Sequence, residues 1–326
     1  MDKNPLLINK NKIKNVSYRH MGFIYALLSA FFFALSGTIT KYCYYFNGSE
    51  QTAIRYLIQL VIMLIIGVYR GENLLGENGQ RKILFFRACF GTTGLLFITI
   101  SYKMIDPSDT VSLVNCSIII VSVLSRLVFK EKYSMCHLVA LSLTSIGVVL
   151  ISQPSFLINK KIDKNEDYMK RILGIIFALI GAFCTATVSI LLKKLANQKV
   201  HYCVAIIYAS YLGLPVCSII SFYLLFIGKE RKSYIDFKSL LFQCALAFLS
   251  GLSGLLAQIF KNVAFNYEDV TKVSLIKSTD LFFSFFLQFF MLNIHPNMFN
   301  LIGALLILGS ALIVIIKKIL ESKFFY

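Results

Sequence analysis

Long apolar stretches recur along this chain, and they restrict its fold more than any other feature of the sequence. A helix that crosses about 30 Å of hydrocarbon needs about 20 residues, because each residue adds about 1.5 Å. The apolar runs predict ten such helices and lack the period-two alternation of a transmembrane β-barrel. The predicted spans are residues 22–46, 52–69, 82–103, 108–129, 136–154, 172–195, 202–226, 240–264, 270–293 and 298–316. We therefore predict an all-α, polytopic membrane protein.

Composition agrees with a membrane environment. Hydrophobic residues make up 57% of the chain and charged residues 15%, too few polar groups to cover a soluble protein of this length. The formal net charge is +17, but Lys and Arg cluster between the apolar runs, where they orient helices and meet anionic lipid headgroups. We therefore expect contact with membrane lipid and no nucleic acid partner.

The eight cysteines form no CxxC pair, and nearly all of them lie within or beside apolar runs. This spacing is wrong for a zinc site and for a disulfide framework. We expect neither a metal nor another cofactor.

The two halves of the chain resemble each other. Placing residues 174–193 over residues 22–41 brings eight of twenty positions into identity, and further along Asp269 falls on Asp109. With five spans in each half, an odd number, the second copy must enter the membrane from the opposite side. Inverted repeats of this kind place a site at the midplane between the halves. We predict ten transmembrane helices arranged as two inverted five-helix repeats.

Polar breaks divide the chain into five parts. The repeats occupy residues 22–154 and 172–316, joined by a polar linker at 155–171. A basic N-terminal tail covers residues 1–21, and a short C-terminal tail covers 317–326. Lys and Arg are modestly more frequent on the side of the N-terminus, so we expect both tails in the cytosol.

The N-terminal tail contains a sorting pattern. Asp2 stands four residues before the pair Leu6 and Leu7, as in the acidic dileucine signals that sorting adaptors read. A plasma membrane and an endomembrane (Golgi, endosomal or vacuolar) both remain open. The sequence is equally compatible with a monomer and with a homodimer.

Span nine carries ionisable residues in its body. Lys277 and Asp280 lie three residues apart on one helical face, and Ser284 and Gln288 continue that face. An ion near the centre of a span costs about 2.5–3.5 kcal/mol on insertion scales, so this face must meet protein or water. We predict that it lines a transport cavity. The alternative is a self-neutralising pair that locks span nine to its neighbours.

Polar residues in three other spans are further candidates for the cavity wall. Span four, the partner of span nine in the repeat, carries Ser112 and Asn115 on one face. Span two carries Arg55 and Gln59 four residues apart, and span eight carries Gln258. Each has a structural alternative: an interhelical hydrogen bond, close helix packing or, for Arg55, snorkelling to the interface.

Signatures of intramembrane enzymes are incomplete in this sequence. The run from Gly251 to Gly254 matches the GxSG pattern of serine proteases, but the four histidines fall at span edges or in loops. HExxH is absent, and Asp280 has a lysine rather than a second aspartate beside it. We therefore predict that the chain is not an enzyme.

Four stretches resemble the EamA-type members of the drug/metabolite transporter superfamily, and within them the G subgroup of solute carrier family 35. They are Arg87-Ala88-Cys89-Phe90-Gly91, Phe129-Lys130-Glu131-Lys132, Gly147-Val148-Val149-Leu150-Ile151-Ser152-Gln153-Pro154 and Ser274-Leu275-Ile276-Lys277-Ser278-Thr279-Asp280. The resemblance implies an inverted-repeat transporter with alternating access for small metabolites, often organic anions or nucleotide sugars. It implies that Lys277 and Asp280 are the basic–acidic pair of span nine and that Glu131 is the acidic end of span four.

One departure from the family pattern concerns span four. Family members commonly carry a proline in its middle, where residues 117–121 here read Ser-Ile-Ile-Ile-Val. The resemblance therefore does not predict a kinked gate at this position. We assign gating or structural roles to four charged residues near span ends: Asp109, Arg126, Glu131 and Asp269.

These features favour a secondary transporter whose cavity is lined by spans 1–4 and 6–9. Lys277, Arg55 and Arg126 outweigh Asp280, which favours a small anionic metabolite as substrate. One alternative is an exporter of organic cations or amines that uses Asp280. Another is a membrane scaffold or trafficking receptor that transports nothing.

Overall fold

The computed structural model describes residues 5–74, 76–77, 79–130, 135–152, 165–226, 236–292 and 298–324, and the side chains of its first helix from Met21 onward. All regular secondary structure in this part of the chain is α-helical. The helices are α1 (Pro5–Tyr42), α2 (Gly48–Tyr69), α3 (Arg81–Met104), α4 (Pro107–Asn115), α5 (Ser117–Phe129), α6 (Met135–Ser152), α7 (Asn165–Asn197), α8 (Tyr202–Phe226), α9 (Phe237–Tyr267), α10 (Val270–Lys277), α11 (Asp280–Leu292) and α12 (Met298–Phe324).

Eight segments of the described chain are long and apolar enough to cross a membrane. They are Met21–Tyr42, Gly48–Tyr69, Arg81–Met104, Asp109–Phe129, Met169–Asn197, Tyr202–Leu225, Phe237–Tyr267 and Val270–Met291. Shorter apolar stretches lie in α6 (Leu138–Gly147) and α12 (Leu301–Ile313). Large apolar side chains such as Leu127, Ile219 and Phe290 stand exposed on the outside of the bundle, while polar side chains fill much of its inside. An outside this apolar fits lipid and not water, so the chain is an integral, multi-pass membrane protein, as predicted.

Helix ends differ from the ends of the apolar runs. Helix α1 begins at Pro5, well before the predicted span, and α12 continues to Phe324. Helix α7 begins at Asn165, inside the segment predicted as a linker. Hydropathy marks the part of a helix that suits hydrocarbon, whereas the backbone bonds of a helix can continue into polar sequence. The rest of that linker, residues 155–164, lies outside the described part of the chain, as do residues 153 and 154 at the end of the first repeat.

Contacts between the helices come in matched pairs. Helix α1 packs along α9, and α3 packs along α7. Helix α2 contacts α9 much as α8 contacts α3, and α4 meets α11 as α5 meets α10. Helices α2 and α8 pack on each other, as do α6 and α12. Each helix up to α6 thus has a counterpart from α7 onward with equivalent neighbours.

Two segments that the apolar pattern presents as single spans are each broken into two helices. Helix α4 ends at Asn115, where Cys116 N donates to Leu113 O (3.1 Å). Between α10 and α11, Thr279 N donates to Ile276 O (3.1 Å), and its hydroxyl donates to the same oxygen (2.8 Å). Backbone hydrogen bonds to the third residue back, instead of the fourth, tighten the helix locally. Serine and threonine hydroxyls that bond to helix carbonyls often bend it. Span four is thus interrupted without a proline.

Helix caps set the register of the two halves. Lys41 Nζ donates to the carbonyl of Ile105 (3.0 Å), which caps α3. Lys193 Nζ donates to the carbonyl of Glu268 (2.7 Å), which caps α9. The next residues, Asp106 and Asp269, each precede a helix as its N-cap. This corrects the predicted register, because Asp269 corresponds to Asp106, whereas Asp109 lies in the first turn of α4.

Glycine at the α6–α12 interface allows a close approach that we expect to be needed for stability. A Cβ on Gly147 would lie 2.8 Å from Gly303 O and 2.7 Å from Ile307 Cγ1, whereas a Cβ on Gly309 would meet nothing within 4 Å. Overpacking costs about 1–3 kcal/mol. We expect Gly147→Val to lower the midpoint of thermal unfolding in detergent micelles and Gly309→Val to leave it nearly unchanged. Equal midpoints for the two variants would contradict this packing.

Candidate functional site

A cavity lies in the middle of the bundle between α1, α2, α3, α7, α8, α9 and α10. It offers about 90 Å³ to water-sized molecules, which is room for several waters. Aromatic and aliphatic side chains such as Phe33, Phe90 and Leu192 form much of its wall. Its charged lining residues are all cationic: Arg55, Arg87, Lys261 and Lys277.

Arg55 enters the cavity wall from α2. Its side chain is buried, Nη2 donates to Gly254 O (3.0 Å), and Nη1 lies 3.5 Å from Ser36 Oγ. A Cβ at position 254 would collide with the guanidinium, so the glycine makes room for it. The GxSG run of α9 therefore packs against the guanidinium of Arg55. Ser253 Oγ lies within hydrogen-bond distance of Leu249 O (2.9 Å), so its hydroxyl has a backbone acceptor.

Arg87 reaches the cavity from the first turns of α3. It is buried, and Nη2 donates to Gln258 Oε1 (3.4 Å) on α9. Nε and Nη1 have no hydrogen-bond partner in the described part of the chain. A buried guanidinium with open donors is unusual and costly, so this group is suited to a ligand that accepts hydrogen bonds.

Lys261 lies one turn beyond Gln258 on α9. Its ammonium stands 5.8 Å from the centre of the Phe265 ring, and it is close enough to Arg87, Lys277 and Asp280 for electrostatic interaction. The two nearby cations raise the positive potential at this side of the cavity.

Lys277 and Asp280 meet at the break between α10 and α11. Lys277 Nζ lies 2.8 Å from Asp280 Oδ2 and 4.0 Å from the centre of the Phe33 ring. Asn115, at the end of α4, donates to Asp280 Oδ1 (2.9 Å). Asp280 is fully buried and begins α11, where the helix dipole favours a carboxylate. Both of its oxygens are occupied, so it locks the two broken spans together.

Charge in the cavity is unbalanced. Ion pairs in the described part of the chain include Lys41 with Asp106, Lys272 with Asp269 and Lys277 with Asp280. Arg55, Arg87 and Lys261 have no carboxylate partner among these pairs, and no acidic side chain lines the cavity. Three cationic groups therefore share a narrow space without a counter-ion from the described chain.

The predicted site residues divide into two groups. Arg55, Gln258 and Lys277 line the cavity, and Asp280 and Asn115 lie directly behind Lys277. The remaining four are buried in the bundle but are not part of this cavity wall: Gln59, Ser112, Ser284 and Gln288. Of these, Gln288 Nε2 donates to Ser284 Oγ (3.0 Å) one turn away on α11.

Three of the four predicted gating residues lie apart from the cavity. Arg126 is exposed and lines a separate cleft against α6, with Leu138 and Leu141. Asp269 forms an ion pair with Lys272 (2.7 Å), and Asp109 is half-buried in α4. Glu131 lies outside the described residues, as do Asp2 and the side chains of Leu6 and Leu7.

Two cavity cations were not among the predicted site residues. Lys261 falls inside the predicted span eight, three residues after Gln258, and that spacing on one helical face is the signal that could have revealed it. Arg87 stands in the family-like stretch that opens span three, but its position near the span end hides its depth. It is buried where α3 packs along α7 and where Gln258 of α9 meets its guanidinium.

Comparisons with known proteins agree with this architecture. Residues 20–153 and 172–316 each match the model of the EamA-like transporter family. Solute carrier family 35 member G1 of Homo sapiens is 29% identical over 303 residues, covering 93% of this chain and 81% of the relative. An uncharacterised transporter of Helicobacter pylori is 25% identical over 280 residues, covering 85% of this chain and 88% of the relative.

A crystal structure with 16% sequence identity superimposes with a TM-score of 0.66, over 91% of this chain and 96% of the other. At that identity the likeness shows the fold alone. Fold and composition define a polytopic membrane protein, and the match of both halves to the family model makes it one of a family of transporters. The chain belongs to the EamA-like transporter family, and it resembles the G subgroup of solute carrier family 35, as the sequence motifs indicate.

Loss of the Asp280 charge should destabilise the protein far more than loss of an exposed partner. Asp280→Asn leaves Lys277 buried beside a neutral group, and breaking a buried pair costs about 3–5 kcal/mol. Asp269→Asn, the control, breaks a pair of the same spacing whose Asp269 side chain is 49% exposed, which costs about 1 kcal/mol or less. Thermal unfolding in micelles measures both. A loss at Asp280 no larger than at Asp269 would refute the structural role of this pair.

Proposed function

We propose that this protein is a secondary transporter that moves a small anionic metabolite across a membrane by alternating access. The observation that carries the proposal is the set of cavity cations without counter-ions, Arg55, Arg87 and Lys261. Removing an ion from water costs several kcal/mol unless an opposite charge compensates. A substrate anion that enters with water and binds these groups supplies that charge.

The matched packing of the two halves supports an inverted pair of five-helix repeats. The counterpart helices have equivalent neighbours, and the family model matches once in each half. With α6 and α12 as the fifth span of each repeat, each repeat has an odd number of spans, so the two enter the membrane from opposite sides. The cavity then lies between the repeats near the midplane, as in other transporters of this kind. Both chain ends face the same side, which the Lys and Arg distribution makes the cytosol.

Transport of organic cations through Asp280 is less well supported. Its two oxygens are occupied by Lys277 and Asn115, and Lys277 stands between it and the cavity. An amine would have to enter a space that already holds Arg55, Arg87 and Lys261, where like charges repel it. A membrane scaffold that transports nothing would not need a cavity lined by cationic side chains, so this function is also less well supported.

Reconstituted protein should take up anions and lose that activity when a cavity cation is neutralised. We would screen labelled acetate, succinate, inorganic phosphate and glucose 6-phosphate against choline and spermidine in proteoliposomes. We expect Arg87→Gln and Lys261→Gln to lower kcat/KM for the transported anion by about tenfold or more, because a hydrogen bond to a charged group contributes about 1.5–3 kcal/mol. Lys238→Gln, at an exposed lysine near the start of α9, should leave it within about twofold.

If the protein takes up choline or spermidine and none of the anions inhibits that uptake, the assignment of an anionic substrate is overturned. Equal losses at Lys238 and at the cavity residues would show that uptake depends on net charge and not on the cavity.

A further inference from the structure

A cluster of hydroxyl groups closes the bundle between α1 and α9, beyond the cavity. Ser36 Oγ donates to Ser250 O (2.9 Å), and Ser250 Oγ lies 3.2 Å from Ser36 O. Thr40 Oγ1 lies 2.9 Å from Ser250 Oγ. All three side chains are buried. This hydroxyl contact joins the two helices at the end of the bundle where α1 and α3 end.

The corresponding place in the other half is not closed in this way. In the alignment of the halves, Ser36 and Thr40 fall on Val188 and Leu192 of α7. Ser250 lies as many residues before Glu268, the C-cap of α9, as Arg87 lies before Ile105, the C-cap of α3. Ser250 therefore corresponds to Arg87. Val188, Leu192 and Arg87 all line the cavity. Positions that bond to each other between α1 and α9 thus correspond to positions that face the cavity between α7 and α3.

We infer that Ser36, Thr40 and Ser250 form the closed gate of the transport path, and that the cavity extends toward the opposite end of the bundle. This inference rests on the proposed transport function. A repeat-built transporter alternates by exchanging the contacts of its two halves, so the asymmetry between these two places identifies the closed one. Hydrogen bonds between membrane helices are individually weak, and a gate made of hydroxyl groups can therefore part.

The polar face of α2 runs alongside this gate. Gln51, Arg55 and Gln59 follow one another at intervals of four residues, and all three are buried. Both amide atoms of Gln51 and Gln59 and Nε of Arg55 have no partner in the described part of the chain, and the same holds for Gln243 Oε1 on α9. Buried polar atoms are almost always satisfied by protein or water. An unsatisfied row along one helix is suited to a path that water and substrate occupy when α1 and α9 separate.

Arg55 connects the cavity to the gate. Its Nη1 lies 3.5 Å from Ser36 Oγ, and the guanidinium is part of the cavity wall. An anion bound in the cavity competes with Ser36 for this guanidinium. Substrate binding and opening of the gate are therefore linked through one side chain, because a ligand shifts an equilibrium by its different affinity for the two states.

A reversible cross-link tests the gate. Ser36→Cys with Ser250→Cys places two thiols where the hydroxyl oxygens are 3.4 Å apart, and oxidation should form a disulfide that mass spectrometry detects. We expect oxidation to lower uptake of the anions named above at least tenfold and dithiothreitol to restore it. The matched control is Thr144→Cys with Ser310→Cys, a buried hydroxyl pair 2.7 Å apart between α6 and α12, whose cross-link should leave uptake within about twofold. A complete cross-link at 36 and 250 with undiminished uptake would overturn the gate.

A second measurement needs no substrate. A membrane-impermeant methanethiosulfonate applied from the gate's end of the bundle should label Ser29→Cys slowly in intact vesicles, because Ser29 lines the cavity and Ser36 and Thr40 lie between it and that end of α1. Adding Ser36→Ala and Thr40→Ala removes two of the gate hydroxyls. It should raise the labelling rate at least threefold over the single cysteine variant, after the labelling of the native cysteines has been subtracted. An unchanged rate would refute the gate even if the double-cysteine variant failed to fold. Absence of anion uptake by the unmodified protein, with labelling as expected, would instead refute the proposed function and leave the gate standing.

Discussion

The cost of holding charge away from water governs the middle of this structure. Lys277 and Asp280 lie in the body of a span, and each would be expensive there alone. Asn115 donates a hydrogen bond to the carboxylate of Asp280, and the start of α11 favours its negative charge. The charge of Asp280 is therefore balanced and its position is fixed. Because the lysine is thereby balanced, the remaining cations of the cavity determine its potential. The pair of Lys277 with Asp280 is structural, whereas the three cations without a carboxylate partner among the described ion pairs leave positive charge in the cavity.

Glycine and serine positions allow that arrangement to be built from helices. Gly254 gives the guanidinium of Arg55 its space and its carbonyl acceptor. Serine hydroxyls on α1 and α9 bond across the interface rather than to a ligand. Small residues let membrane helices approach, and the hydrogen bonds that they add are weak enough to be exchanged. Close packing and a mobile contact thus come from the same residue types.

The membrane-spanning helices could be predicted from hydropathy, because the sequence shows directly which segments carry side chains that tolerate lipid. Lys277 and Asp280 were recognisable in the same way, as ions at a depth where ions are rare. Lys261 was missed because depth alone does not say which neighbour a side chain meets, and its role depends on the bundle bringing Arg87 and Lys277 close to it. The interruption near Cys116 was missed because it arises from shifted backbone bonds, which leave the apolar pattern intact. The register of the halves was off by a few residues because aspartates were matched by identity rather than by their place at helix caps.

The interruption of span nine has a mechanical consequence. A proline would fix the backbone and remove a donor permanently, whereas Ser278 and Thr279 occupy helix carbonyls through hydroxyl groups that rotate about a single bond. Span nine is therefore held at its break by bonds that rotation of a side chain can release, so its stiffness is adjustable where that of a proline kink would be fixed.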